Sequence, residues 1–121
     1  MKQSRPKAVI GKTVRILTGC GNMYVTVNRV DGEVFEVFAA LGKAGTCAKV
    51  QSEALTRTVT LALRFGVPLE EIVKELQYLR CPSPVWEDGE QALSCPDAIA
   101  KVLVGELPRE ETNEAEVNST T

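Results

Sequence analysis

The stretch MYVTVNRVDGEVFEVFA, residues 23–39, decides the fold class. Met23, Val25 and Val27 alternate with Tyr24, Thr26 and Asn28, the period-two pattern of a strand that buries one face. Asp31-Gly32 follows, the residue pair favoured by a two-residue type I′ hairpin turn, in which both positions need positive φ. The chain then returns over residues 33–39. There Val34, Phe35, Val37 and Phe38 are apolar on both parities, which predicts a more central strand covered from both sides. Upstream, residues 13–18 set Val14 and Ile16 opposite Arg15 and predict another strand, broken by Gly19-Cys20-Gly21-Asn22. The expected sheet is an antiparallel three-stranded meander, with residues 8–11 available to lengthen its first strand.

After the meander the hydrophobic period changes. A Gly-rich connection, Gly42-Lys43-Ala44-Gly45, opens a helix predicted from Cys47 to about Phe65. Its apolar repeat, Val50, Ala54, Thr58, Leu61, Ala62 and Phe65, is the expected buried stripe. Gly66 is a C′ stop and Pro68 starts a second helix, whose apolar face is Leu69, Ile72, Val73, Leu76 and Leu79. That helix is expected to end at Arg80-Cys81-Pro82. Residues 82–93 read as a loop carrying Trp86 and an Asp88-Gly89 turn. Ser94 is then an N-cap with Asp97 at N3, and Pro96 in the first turn costs no hydrogen bond. The third helix runs to about Leu107. The fold class is therefore α+β, a three-stranded meander packed against three helices. The domain plan is a flexible basic arm over 1–7, a globular unit over 8–107 and a disordered acidic tail over 108–121.

A chain of 121 residues with 44% hydrophobic side chains suffices for one domain with a modest core. Its net charge of −2 gives no bulk attraction to nucleic acid. No apolar run approaches the ~20 residues of a membrane helix, and no apolar segment follows the basic N-terminus. The expectations are no membrane partner, no secretory signal and a cytoplasmic location. Disulfides rarely persist there, so the four cysteines are expected as free thiols, metal ligands or redox centres. Histidine is absent, which removes the commonest general base and any mixed Cys/His zinc site. No catalytic residue is assigned.

Each cysteine stands at an element boundary: Gly19-Cys20-Gly21, Gly45-Thr46-Cys47, Arg80-Cys81-Pro82 and Ser94-Cys95-Pro96. Buried structural cysteines belong inside apolar faces, and none of these is. Boundary positions can converge, and Cys47 and Cys95 lie at helix N-termini, where the dipole favours thiolate. The leading expectation is one zinc ion held by Cys20, Cys47, Cys81 and Cys95. An iron–sulfur cluster, a redox pair and inert thiols stay open, because the paired Cys-x-x-Cys spacing of a zinc ribbon is missing. For binding, Lys43, Lys49, Arg57 and Arg64 suggest a basic stripe. The glycine-rich loop with Lys43 could hold an anion, though it is not a Walker A motif. Trp86 is a candidate partner anchor, with packing over the core or the metal site as its alternative.

Taken in order, Thr18-Gly19-Cys20-Gly21 leading into Tyr24-Val25-Thr26-Val27-Asn28, Gly45-Thr46-Cys47, Leu79-Arg80-Cys81-Pro82 and Ser94-Cys95-Pro96-Asp97 resemble the TSCPD domain. The likeness covers about residues 5–107, with Leu93 where the name motif has its first Thr. That domain occurs at the C-terminus of adenosylcobalamin-dependent (class II) ribonucleotide reductases and as a free-standing small protein. The resemblance implies an accessory module with four cysteines, whose partner is a class II reductase or nucleic acid. The large catalytic barrel of the reductase cannot fit in this chain, so no ribonucleotide reduction by the chain alone is expected. A fainter likeness to iron–sulfur scaffold folds is one of fold only.

Overall fold

The computed structural model describes residues 2–42 and 46–108. Strands β1 (Ile10–Thr18), β2 (Gly21–Val30) and β3 (Glu33–Leu41) form one antiparallel sheet in that order. Helices α1 (Cys47–Arg64) and α2 (Leu69–Leu76) follow, then a short hairpin of β4 (Val85–Glu87) and β5 (Glu90–Ala92), and last α3 (Cys95–Val104). Among the described residues no helix is long and apolar enough to cross a membrane. Lys43 and the rest of the glycine-rich connection, and the tail from residue 109 on, lie outside the described residues.

Both Asp-Gly pairs make the turns their chemistry favours. Asp31 and Gly32 have φ of 53° and 79°, and Asp88 and Gly89 have φ of 52° and 79°. The second pair turns what reads in sequence as a loop into the β4–β5 hairpin. In the sheet, Met23, Val25 and Val27 stand opposite Leu41, Ala39 and Val37. They form the core with Ile72, Val73 and Leu76 of α2 and Ile99, Val102 and Leu103 of α3.

The expectation that β3 is a central strand is wrong: β2 is central and β3 is an edge. Its double-sided apolarity has another cause. Register shifts between Asn28 and Arg29, which face Glu36 and Val34, so Phe35 is an extra residue in a β-bulge. The exposed edge is covered by α1. Val37 N–H donates to Thr60 Oγ1 and the Thr60 hydroxyl donates back to Val37 O, both at 3.0 Å. An edge strand whose outward groups are paired this way offers no template for another chain at that point.

That contact also overturns the expected face of α1. Its buried residues are Ser52, Thr56 and Val59, while Val50, Ala54, Thr58, Leu61 and Phe65 face outward. Small and β-branched side chains let the helix approach β3 closely, and Thr60 needs that approach to reach the sheet edge. Helix α2 is shorter than its apolar repeat suggests, because Gln77 is extended and Tyr78 adopts a φ of 68°.

The N-terminal segment, expected as a flexible basic arm, makes polar contacts with β3 and the end of α1. Gln3 N–H donates to Arg64 O at 2.8 Å, and Arg64 Nε donates to Gln3 O at 3.0 Å. Arg5 forks onto the buried Glu36, with both N–H···O distances 2.9 Å. At the opposite end of the sheet from the β1–β2 turn, Glu106 pairs with Lys12 at 2.9 Å and Arg29 at 2.7 Å.

Candidate metal centre

The β1–β2 turn is the first wall of the site. Thr18 is buried; its Oγ1 donates to Gly21 O at 2.8 Å and accepts from Cys20 N–H at 3.0 Å. This holds the Gly19-Cys20 turn tight and leaves Cys20 exposed at its tip. Gly19 packs against Ser83: a Cβ at this position would overlap the Ser83 carbonyl oxygen. Only glycine lets the turn lie this close to the Cys81–Ser83 segment.

The second wall is built by Ser94 and Asp97. Ser94 caps α3, accepting from Asp97 N–H at 3.1 Å, and its hydroxyl donates to Leu79 O at 2.6 Å. The Asp97 carboxylate is fully buried and accepts three hydrogen bonds, from Tyr78 N–H at 2.8 Å, Leu93 N–H at 2.9 Å and Lys101 Nζ at 2.7 Å. Tyr78 can offer its N–H this way because of its left-handed backbone, which ends α2. Together with the 3.0 Å bond from Cys81 N–H to Leu93 O, these contacts bind the segment before Cys81 to the residues before Cys95. The Ser-Cys-Pro-Asp segment thus works as a clamp: its serine and aspartate tie the Tyr78–Cys81 segment to the start of the helix that carries Cys95. Sequence reading finds the cap but not the clamp, since Asp97 serves Leu93 and Tyr78 instead of the N-cap residue's own N–H.

Cys20, Cys81 and Cys95 lie at this end of the fold. Cys95 Sγ donates to Thr18 Oγ1 at 3.8 Å, and Ser83 N–H donates to Cys81 Sγ at 3.3 Å. Burial pushes the Cys95 thiol up; Thr18 opposes this, while the neighbouring Cys20 and Cys81 add to it. Cys47 is exposed at the first position of α1, after the Thr46 cap, and among the described residues no hydrogen bond joins it to the other three. Nor, among the described residues, does any group of three or more His, Cys, Asp or Glu side chains stand close enough to hold a metal ion. Sulfur is the donor type a soft or borderline cation such as zinc prefers, but among the described residues the thiols are not arranged around one common point.

The other singled-out residues are dispersed. Arg57 is exposed and Lys49 half-buried on α1. Arg64 is committed to Gln3 and stacks over Phe35, 5.4 Å from the ring centroid. Trp86 on β4 is 65% exposed, so it packs over neither the core nor the thiols.

Three buried or half-buried carboxylates make the fold acid-sensitive. At Asp97 burial raises the pKa, but Lys101 and the two backbone N–H groups outweigh it and hold the carboxyl below its ordinary value. Glu106 follows the same logic with Lys12 and Arg29, and the Arg5 hydrogen bond lowers Glu36. A carboxyl held below its unfolded value stabilises the fold above that value, about 4, and the gain is lost as pH falls through the folded value. Urea midpoints should therefore stay level from neutrality to about pH 5 and drop below about pH 4. Glu106→Gln should lower the plateau and flatten the acid slope; an unchanged slope would contradict this account.

The family model described as "TSCPD domain" matches residues 1–106. No curated protein matches the chain, and no solved structure does.

Proposed function

Because the chain belongs to the TSCPD-domain family, we propose that it is a non-catalytic zinc-binding accessory module of ribonucleotide reduction, one that acts by docking on a class II reductase. What supports this reading is the placement of Cys20, Cys81 and Cys95 at one end of the fold, where Gly19 packs on Ser83 and Cys95 Sγ reaches Thr18, beside the Ser94–Asp97 clamp. These three sulfurs, with Cys47 as the fourth, would hold the zinc. A structural zinc adds its binding free energy to folding, which a small core needs. The chain's own residues supply the rest. Thr18 and Gly19 set the turn that carries Cys20, and Asp97 ties the segment before Cys81 to the start of α3.

Docking falls to the β4–β5 hairpin. Trp86 is the largest side chain the fold leaves in solvent, and aromatic anchors dominate interface energetics. Nucleic acid is the weaker partner, since Arg64 is already engaged and the basic stripe keeps only Lys49 and Arg57 among the described residues. The experiment is binding of the full chain to a class II reductase lacking its own C-terminal module, across a salt series. Trp86→Ala should weaken binding by about 2 kcal/mol, roughly 30-fold, without moving the melting temperature. A steep salt dependence with indifference to Trp86 would point to phosphate contacts and contradict the proposal.

A second reading rests on the placement of Cys20 and Cys95 around Thr18, whose Oγ1 accepts from both Cys20 N–H and Cys95 Sγ. Oxidation of that dithiol to a disulfide would release two electrons and two protons, making the module a thiol reductant for the reductase. Protein whose thiols cycle with a dithiol reductant and which never binds zinc would favour it.

A further inference from the structure

Helix α1 carries apolar side chains on two faces: Ala48, Leu55, Val59, Ala62 and Leu63 pack on the core beside the buried Ser52 and Thr56, and a second set is left over. The apolar repeat is left outside: Val50 is 59% exposed, Leu61 47% and Phe65 53%, with Ala54 between them. The repeat advances by four, seven and four residues, so it stays on one side of the helix for about 22 Å. Thr58 adds its methyl to this side, because its hydroxyl is turned back to Ala54 O at 3.0 Å. A dry stripe of this length on a small protein marks an interaction surface.

From this stripe we infer that α1 joins two copies of the chain, packed antiparallel. The charges beside the stripe select a second copy and its register. Glu53 and Arg57 flank the same side, both exposed, and neither has an ion-pair partner among the described residues. With Val50 of one copy against Leu61 of the other, Ala54 sits near the crossing, where its small side chain permits close approach. That register puts Glu53 of each copy beside Arg57 of the other, twice over by the two-fold symmetry. Sliding Val50 to Phe65 instead would oppose Arg57 to its own copy, so like charge rejects the alternative. The two ion pairs lie at the rim and fix the register, while Val50, Leu61 and Phe65 supply the affinity.

The test is the mass of the full, metal-loaded chain by sedimentation equilibrium up to its solubility limit. The wild type should be a dimer and Leu61→Glu a monomer with unchanged far-ultraviolet circular dichroism. Leu61 is outside the core, so the fold should survive this change. Glu53→Arg and Arg57→Glu should each weaken the dimer about tenfold or more, and combining them should restore it. A wild type that stays monomeric at every concentration overturns the inference. So does a dimer that ignores Leu61→Glu, or a double charge reversal that fails to rescue. These outcomes are read on the folded chain and do not depend on which metal it holds or whether it docks on a reductase, so the inference stands or falls apart from the proposed function.

Discussion

Replacing Asp97 by Asn should cost the fold about 3 kcal/mol, the scale for removing one partner of a buried ion pair. The side chain keeps its volume, so the loss is electrical and directional. The carboxylate receives Tyr78 N–H, Leu93 N–H and Lys101 Nζ on two oxygens. An amide offers one oxygen and turns an NH₂ group toward donors that need an acceptor, leaving at least one buried N–H unpaired. For a domain of this size the melting temperature should fall by roughly 10–20 °C. Zinc affinity should fall with it, because the Tyr78–Cys81 segment is no longer tied to Leu93. Ser94→Ala should do less, about 1–2 kcal/mol, since it removes the cap and the bond to Leu79 O without stranding a charge. An Asp97→Asn variant that melts within a few degrees of wild type would show that the clamp is not what ties the Tyr78–Cys81 segment to the start of α3.

Removing the metal should have the larger effect. The thiol end of the molecule is built from the β1–β2 turn, the Cys81–Ser83 segment and the first turn of α3. The core lies deeper, around Met23, Val25, Ile99 and Leu103. A metal bound there adds free energy in proportion to its affinity, so a chelator should melt the domain or leave its cysteine end unfolded at room temperature. Cys81→Ser and Cys95→Ser should reproduce the chelated state without chelator. Chelator-treated protein that melts at the temperature of the untreated chain would contradict the role given to the metal.

Much of this architecture is legible in the residues, and the failures have identifiable causes. Alternation at Met23-Tyr24-Val25-Thr26-Val27 and the Asp31-Gly32 pair carry the meander because local sterics and one buried face agree there. The same Asp-Gly signal stands at 88–89, yet its flanking arms are three residues each and show no alternation to read. Helix α1 is found by its period, but the period cannot say which side is buried. The answer lies in the opposite face, where Leu55, Val59 and Leu63 pack on the core while Thr60 bonds the Val37 backbone. The bulge at Phe35 hides in the same way, since an extra residue looks like a strand with two apolar faces. The thiols stand at element boundaries, and Cys20, Cys81 and Cys95 lie at one end of the fold, though among the described residues no three stand close enough to hold a metal ion. What ties the segment before Cys81 to the start of α3 is a long-range bond from Asp97 to the left-handed Tyr78, and nothing in a run of Gln77-Tyr78-Leu79 signals that conformation.

The measurement that bears most directly on the central claim is metal content and ligand type on protein purified without oxygen. Elemental analysis combined with zinc-edge X-ray absorption reports both. The account predicts one zinc per chain in a shell of four sulfurs at about 2.3 Å, with affinity lost when any of Cys20, Cys47, Cys81 or Cys95 is changed to Ser. Iron with labile sulfide, or folded protein that carries no metal and four titratable thiols, would contradict it.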